Sequence, residues 1–370
     1  MKRYIHGGEI RENRVRLDFS VNLNPLGTPE TVREAVKDCA GRLQEYPDPA
    51  YRKLREALAG FFGIGKDEII CGNGASELIM ASVAAIRPER VLLTVPDFYG
   101  YERAAAALGT ETEFLPFWKD EAETESEGAE SESAVELCKL IEGAGSSSGE
   151  GKRTLVMLSN PNNPTGRFII KRGMTDVIEK AAERGFFFLL DESFLPFVKG
   201  GERESLISET GRFPGLMVLR SLTKQFAMPG VRLGAIVTGS CGLREKIAEF
   251  LPEWNVSIPA EAAGMAAVNE SNYVNQTPVF LAESREMLKA GIEALGRKTG
   301  RLTVFPSAVN YLLIKSSLPL YSRLLEKGIL IRDCENFRGL GRGYYRIAVK
   351  SGEENEELLA ALGDLFSGNR

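Results

Sequence analysis

The chain is poor in the side chains on which many enzyme classes depend. It has one histidine, His6, among 370 residues. A histidine-based catalytic triad or multi-histidine metal site would have to be built on that single ring. Five cysteines, Cys39, Cys71, Cys138, Cys241 and Cys334, are scattered and form no C-x-x-C pair. That spacing argues against a zinc site or a disulfide frame, and points to reduced thiols in a cytoplasm. No metal is expected. The apolar runs, such as residues 186–190, are short, far below the roughly 20 residues that cross a bilayer. The opening stretch MKRYIHGGEIREN has no apolar core that would act as an export signal. The formal net charge is −5 and no basic block is present, so neither nucleic acid nor a membrane is an expected partner.

What is present is ordinary for a soluble protein: 43% apolar and 26% charged residues. The length leads us to expect two domains. Within residues 1–45, Thr28-Pro29-Glu30 predicts a helix start, with Thr28 as the cap and Pro29 in the first turn. Residues 46–240 alternate short apolar runs with helix-length amphipathic stretches. Strands are predicted at 69–71, 91–95, 113–117, 154–158, 186–190, 216–219 and 234–238. This order implies an α/β domain with a mostly parallel sheet covered on both faces. Residues 241–370 read as a smaller α+β domain, completed by the N-terminal segment. Residues 119–153, including ESEGAESES and GAGSSSGEGK, look too polar to pack tightly. They predict a mobile surface excursion with at most a helix near 135–141.

Chemistry-bearing residues fall in the turns that follow the predicted strands, and in a parallel sheet such turns share one edge. Ser221, Thr223 and Lys224 follow one strand, with Arg232 eight residues after the lysine. A lysine amine forms an imine with an aldehyde, and hydroxyls with an arginine hold a phosphate. An aldehyde and a phosphate on one small molecule describe pyridoxal 5′-phosphate. Gly72 to Glu77 opens a helix with glycines, leaving N–H groups of Gly74, Ala75 and Ser76 for an anion. The segment SNPNNPTG holds Asn163 in a turn fixed by two Asn-Pro steps, where its amide can meet a phenolate oxygen. Asp191 ends a fully apolar strand, and a carboxylate there calls for a cation such as a protonated pyridine nitrogen. Phe98 is placed to stack on the ring. Each feature alone has a bland reading as a loop, a cap or core; together, in this order, they point to one cofactor.

These residues resemble the fold-type I pyridoxal-phosphate enzymes, the aspartate aminotransferase superfamily, over nearly the whole chain. LRSLTKQFAMPGVRLG, SNPNNPTG and the pair Asp191-Glu192 resemble the histidinol-phosphate aminotransferase branch. HGGEIR, DFSVNLNPLG, EYPDPAY, ILIRDCENFRGL and YYRIAVKS are most similar to the threonine-phosphate decarboxylases of cobalamin biosynthesis. The resemblance implies that Lys224 is the Schiff-base lysine, Asp191 pairs with the pyridine nitrogen and Asn163 with the phenolic oxygen. It implies that Gly74, Ala75, Ser76, Ser221, Thr223 and Arg232 hold the cofactor phosphate. Tyr46 would reach the cofactor phosphate of a neighbouring subunit, which implies a homodimer. Arg346 would bind a substrate carboxylate, and His6, Asn24 and Arg332 would surround a phosphorylated amino-acid substrate. One position departs from the aminotransferase pattern. Three residues after Asp191 stands Phe194, where that branch usually has a tyrosine.

Overall fold

The computed structural model describes residues 7–10, 14–118, 129–144 and 151–367. From edge to edge, one sheet contains the strands Ile69–Gly72, Gly234–Val237, Leu216–Ser221, Phe187–Asp191, Thr154–Ser159, Arg90–Val95 and Glu111–Pro116. Gly234–Val237 runs antiparallel to both neighbours, and the other pairings are parallel. Each strand lies within two residues of its sequence-predicted span. Along the central strands, successive side chains serve opposite faces. Val156, Leu158, Phe188, Leu190 and Val218 pack into one core. Leu155, Met157, Leu189, Met217 and Leu219 pack into the other. A sheet covered on both faces needs both sides apolar, so these strands read as unbroken apolar runs.

A second sheet is antiparallel, in the order Arg332–Asp333, Tyr344–Ala348, Tyr311–Ser316 and Leu302–Val304. The helices Ser271–Thr299 and Gly352–Ser367 cover it, burying Leu281, Leu288 and Ile292 from the first and Leu358 and Leu362 from the second. The N-terminal segment joins this half of the molecule. Leu17–Asp18 pairs in parallel with Ile329–Leu330, and Phe19 enters the same core. Among the described residues, no helix is long and apolar enough to cross a membrane.

Two local expectations are corrected. The first helix is Glu30–Asp38, with Pro29 at the cap position and no side-chain cap. The Thr28 hydroxyl instead donates to the Ala227 carbonyl at 2.6 Å, tying the N-terminal segment to the loop after Lys224. The second correction concerns residues 119–153. Residues 119–128 and 145–150 lie outside the described residues, but Ala129–Gly143 is a helix. Ala134, Leu137, Cys138 and Ile141 recur at helical spacing, and together with Met174 and Ile178 of the helix Lys171–Glu183 they form part of the main core. The local composition is polar, yet one narrow apolar stripe suffices to dock the helix.

Candidate functional site

Strand register brings the chemistry to one edge of the large sheet. Ser159 lies opposite Asp191, and Asp191 opposite Leu219. Ser221 lies opposite Gly234, which in turn lies opposite Gly72. The turns after five strands therefore open side by side, where open α/β sheets bind ligands.

At one end is an anion cradle. Gly74 precedes the helix Ala75–Ile86, and no side chain caps that helix, leaving its first N–H groups available to an anion. Gly74 has φ +80, and a Cβ there would stand 2.3 Å from Nη2 of Arg232. The arginine thus lies directly over the backbone at the helix start. Arg232 itself is left-handed, at φ 60, a conformation L-residues hold only under tertiary constraint. Its Nη1 donates to the Pro229 carbonyl at 3.2 Å. The hydroxyls of Ser221 and Thr223 lie 2.8 Å apart and buried. Ser76 is exposed at the mouth of this cradle.

Lys224 lies in the short helix Leu222–Gln225 that begins as the strand ends. Its Nζ is 5.3 Å from the centre of the Phe194 ring. Burial pushes the amine below its ordinary pKa; Asp191 opposes that shift, while Arg232 and Arg346 add to it. The neutral, nucleophilic form is thereby favoured. Asp191 is buried, with Oδ2 accepting from the Tyr101 hydroxyl at 2.8 Å and Oδ1 from the Ser193 N–H at 2.9 Å. Among the described residues, no basic side chain forms an ion pair with it. Asn163 is placed by its own N–H, which donates to Ser159 Oγ at 3.0 Å. Its Oδ1 accepts from Nη1 of Arg346, which directs the amide's two N–H bonds elsewhere. Phe98 is half-buried and meets Tyr101 edge-on, with centroids 5.5 Å apart. An anion cradle, a depressed-pKa lysine, an unpaired buried carboxylate and a directed amide fit pyridoxal 5′-phosphate.

The second, antiparallel sheet adds two arginines. Arg332 and Arg346 face each other across adjacent antiparallel strands, with relative exposures of only 4% and 7%. Arg346 Nη2 donates to the Ser20 carbonyl at 3.0 Å, its Nε has no partner, and burial pushes its pKa down to about 10. Arg332 donates to Asn336 Oδ1 at 2.7 Å and stacks on Phe337; burial lowers its pKa too. Neither forms a salt bridge with a carboxylate among the described residues, although Asp333 and Glu9 partly oppose the lowering at Arg332. Arg332 lines a cavity of 280 Å³ with Gly7, Ser20, Tyr321 and Asn336, and with the carboxylates Glu9, Asp333 and Glu335.

Asn24 is engaged within the fold. Its Nδ2 donates to Gln225 O and Thr277 Oγ1 at 2.9 and 2.8 Å, and its Oδ1 accepts from Leu26 N–H at 3.1 Å. Asn22, two residues earlier, is buried with both amide atoms unpartnered, so it is the asparagine with capacity left for a ligand. Asn22 and Tyr101 were not singled out from sequence. Two asparagines in one turn-rich segment look alike, and only their partners separate them. Tyr46 makes none of these contacts: it is 77% exposed, and its ring lies against Trp254 with centroids 4.6 Å apart and planes tilted by 37°. His6 lies outside the described residues.

The chain is similar to known proteins over nearly its whole length. The family model for aminotransferase classes I and II matches residues 14–362. A protein of Caldanaerobacter subterraneus subsp. tengcongensis, provisionally named threonine-phosphate decarboxylase, is 37% identical over 99% of this chain and 95% of its own length. The threonine-phosphate decarboxylase of Salmonella typhimurium is 33% identical over 98% of this chain and 97% of its own. The solved histidinol-phosphate aminotransferase of Clostridium acetobutylicum superposes with a TM-score of 0.81 at 29% identity, over 95% of this chain and 99% of that one. The chain belongs to the class I and II aminotransferase family, enzymes of fold type I whose cofactor is pyridoxal 5′-phosphate.

Proposed function

We propose that this enzyme decarboxylates L-threonine O-3-phosphate to (R)-1-amino-2-propanol O-2-phosphate and carbon dioxide, a step of cobalamin biosynthesis. The observation that carries this reading is the facing pair Arg332 and Arg346, buried and, among the described residues, in no salt bridge with a carboxylate. Two adjacent buried cations are costly alone and favourable around a ligand with two anionic groups. An O-phosphorylated amino acid brings a phosphate and a carboxylate on one molecule. Histidinol phosphate brings only the first. The names of the two relatives at 37% and 33% identity support the same substrate.

In this reading Arg346 holds the substrate carboxylate, while Arg332, His6 and Asn22 surround the phosphate. Bound pyridoxal phosphate supplies the electron sink for the bond broken at the α-carbon. Lys224 would hold the cofactor aldehyde between turnovers, and a protonated Lys224 or a water would return a proton to the α-carbon. Asp191, oriented by Tyr101, keeps the pyridine nitrogen protonated, and Asn163 donates to the phenolic oxygen. Gly74, Ala75, Ser76, Ser221, Thr223 and Arg232 hold the cofactor phosphate, and Phe98 covers the ring. Phe194 brings no hydroxyl to the phenolic oxygen, unlike the usual tyrosine of the aminotransferase branch. Tyr46, so far exposed, reaches the partner's cofactor in a homodimer.

The test supplies carboxyl-labelled L-threonine O-3-phosphate to the holoenzyme and traps carbon dioxide, with histidinol phosphate plus 2-oxoglutarate in parallel. Labelled carbon dioxide, stoichiometric aminopropanol phosphate and no glutamate are expected. Glutamate without carbon dioxide would make the enzyme an aminotransferase and overturn the reaction proposed.

A further inference from the structure

A second buried carboxylate lies behind the cofactor site and belongs to none of the roles above. Asp97 follows the strand Arg90–Val95 and is 7% exposed. Four protein donors converge on it. Oδ1 accepts from the Phe98 N–H at 2.7 Å and from the Ser159 hydroxyl. Oδ2 accepts from the Thr94 hydroxyl at 2.7 Å and the Ser159 N–H at 3.0 Å. The Ser159 hydroxyl, its proton committed to Asp97, is then an acceptor for the Asn163 N–H at 3.0 Å. One carboxylate therefore ties together the two turns that carry Phe98 and Asn163.

We propose that Asp97 is a positioning residue, which through Ser159 and the Phe98 N–H fixes Asn163 and Phe98 against the cofactor. The proposal rests on the assignment of Asn163 to the phenolic oxygen, not on which reaction the enzyme catalyses.

The hydrogen-bond arithmetic shows why a carboxylate is required. Each Asp97 oxygen faces one backbone N–H and one hydroxyl. A hydroxyl can turn and accept; a backbone N–H cannot. An asparagine at 97 would place its NH2 group against either the Phe98 or the Ser159 N–H, whichever way it was flipped. If the NH2 faced the Ser159 hydroxyl, it would also compete with Asn163 for that oxygen. Burial pushes the Asp97 carboxyl up to about 7, against the pull of these donors, so the fully charged brace exists above neutrality. The titratable groups around it are the Tyr101 and Tyr311 phenols, both of which also feel Asp191. A separate strut, Asn162 Nδ2 to the Pro96 carbonyl at 3.1 Å, joins the same two turns. The turns can therefore stay folded when the brace is weakened.

The readout is the pH at which the visible absorbance of the bound cofactor titrates, together with Tm, for holoenzyme variants Asp97→Asn, Ser159→Ala and Asn163→Ala. Loss of a donor to a phenolate oxygen raises that pH. Asn163→Ala is expected to shift it upward by about half a unit or more, and Asp97→Asn and Ser159→Ala to shift it in the same direction by a smaller amount. Ser159→Ala keeps three of the four donors and covers the case in which Asp97→Asn fails to fold. A Tm loss with an unmoved titration in Ser159→Ala would make the network merely structural and overturn the proposal. An unmoved titration in Asn163→Ala would remove the Asn163 assignment and the proposal together, leaving the decarboxylase reading standing on its own assay.

Discussion

At the scale of single residues, the site works through environments that shift charge. Lys224 is held where its ammonium form is disfavoured by burial and by two arginines, so the amine is available for the cofactor. Lys224→Ala is expected to remove the visible absorbance of the lysine-bound cofactor and to lower turnover by roughly 10²–10⁴-fold, as measured by a spectrum and a carbon dioxide assay on one preparation. Asp97 allows a stability prediction with a definite sign. Its carboxyl lies at about 7 in the folded chain, against about 3.9 when unfolded. The folded state therefore binds the extra proton between about pH 4 and pH 7, and the stability this group contributes is lost as pH rises through that window. The loss is on the order of 4 kcal/mol. Denaturant unfolding of wild type and Asp97→Asn across that range is expected to show the wild type losing stability relative to the variant as pH rises. A constant difference would mean that Asp97 does not titrate there.

At the scale of elements, the parts legible in sequence were those with one dominant cause. The apolar runs gave the seven strands because both faces of the sheet are covered. The turn residues gave Lys224, Asp191 and Asn163 because strand ends share an edge. Of the helix Ala129–Gly143 only the part near 135–141 was expected, and not its docking, because its stripe of Ala134, Leu137, Cys138 and Ile141 is diluted by Glu and Ser. Asp97 and Tyr101 escaped for another reason: their partners lie 62 and 90 residues away in sequence, and no local pattern announces such a pairing. Asn22 and Asn24 differ only in what surrounds them. The helix Ala75–Ile86 shows how much one backbone position can decide. A Cβ on Gly74 would collide with the Arg232 guanidinium and also strain a backbone at φ +80. Gly74→Ala is expected to displace Arg232 from the phosphate cradle and to weaken retention of the cofactor at least about tenfold, a loss of about 1.4 kcal/mol. Equilibrium dialysis against pyridoxal phosphate measures it, and unchanged retention would mean that Arg232 does not hold the phosphate.

At the scale of the whole molecule, the two sheets would divide the work in the proposed reading: the large sheet's edge would supply the cofactor groups, and the smaller antiparallel sheet carries the facing arginines. One proposed group has no place in this scheme within a single chain. Tyr46 is 77% exposed, as is Leu43, and the adjoining Trp254 is 41% exposed. The rings of Tyr46 and Trp254 lie in tilted contact, so an apolar aromatic patch lies on the surface. In the proposed homodimer that patch would be covered, and Tyr46 would complete the other subunit's phosphate cradle. This arrangement makes a prediction that a monomer cannot satisfy. Tyr46→Ala and Lys224→Ala each lack one part of every site when assembled with themselves. Co-expressed as a hybrid, one of its two sites combines the intact lysine of one chain with the intact tyrosine of the other. With random pairing, half the dimers are hybrids, so about a quarter of all sites are whole. Activity of the co-expressed mixture should exceed the mean of the two separate variants by up to that fraction, provided Tyr46→Ala alone is strongly impaired. Activity no greater than that mean, with dimers present by sedimentation, would place Tyr46 at its own chain's surface and leave each site complete within one subunit.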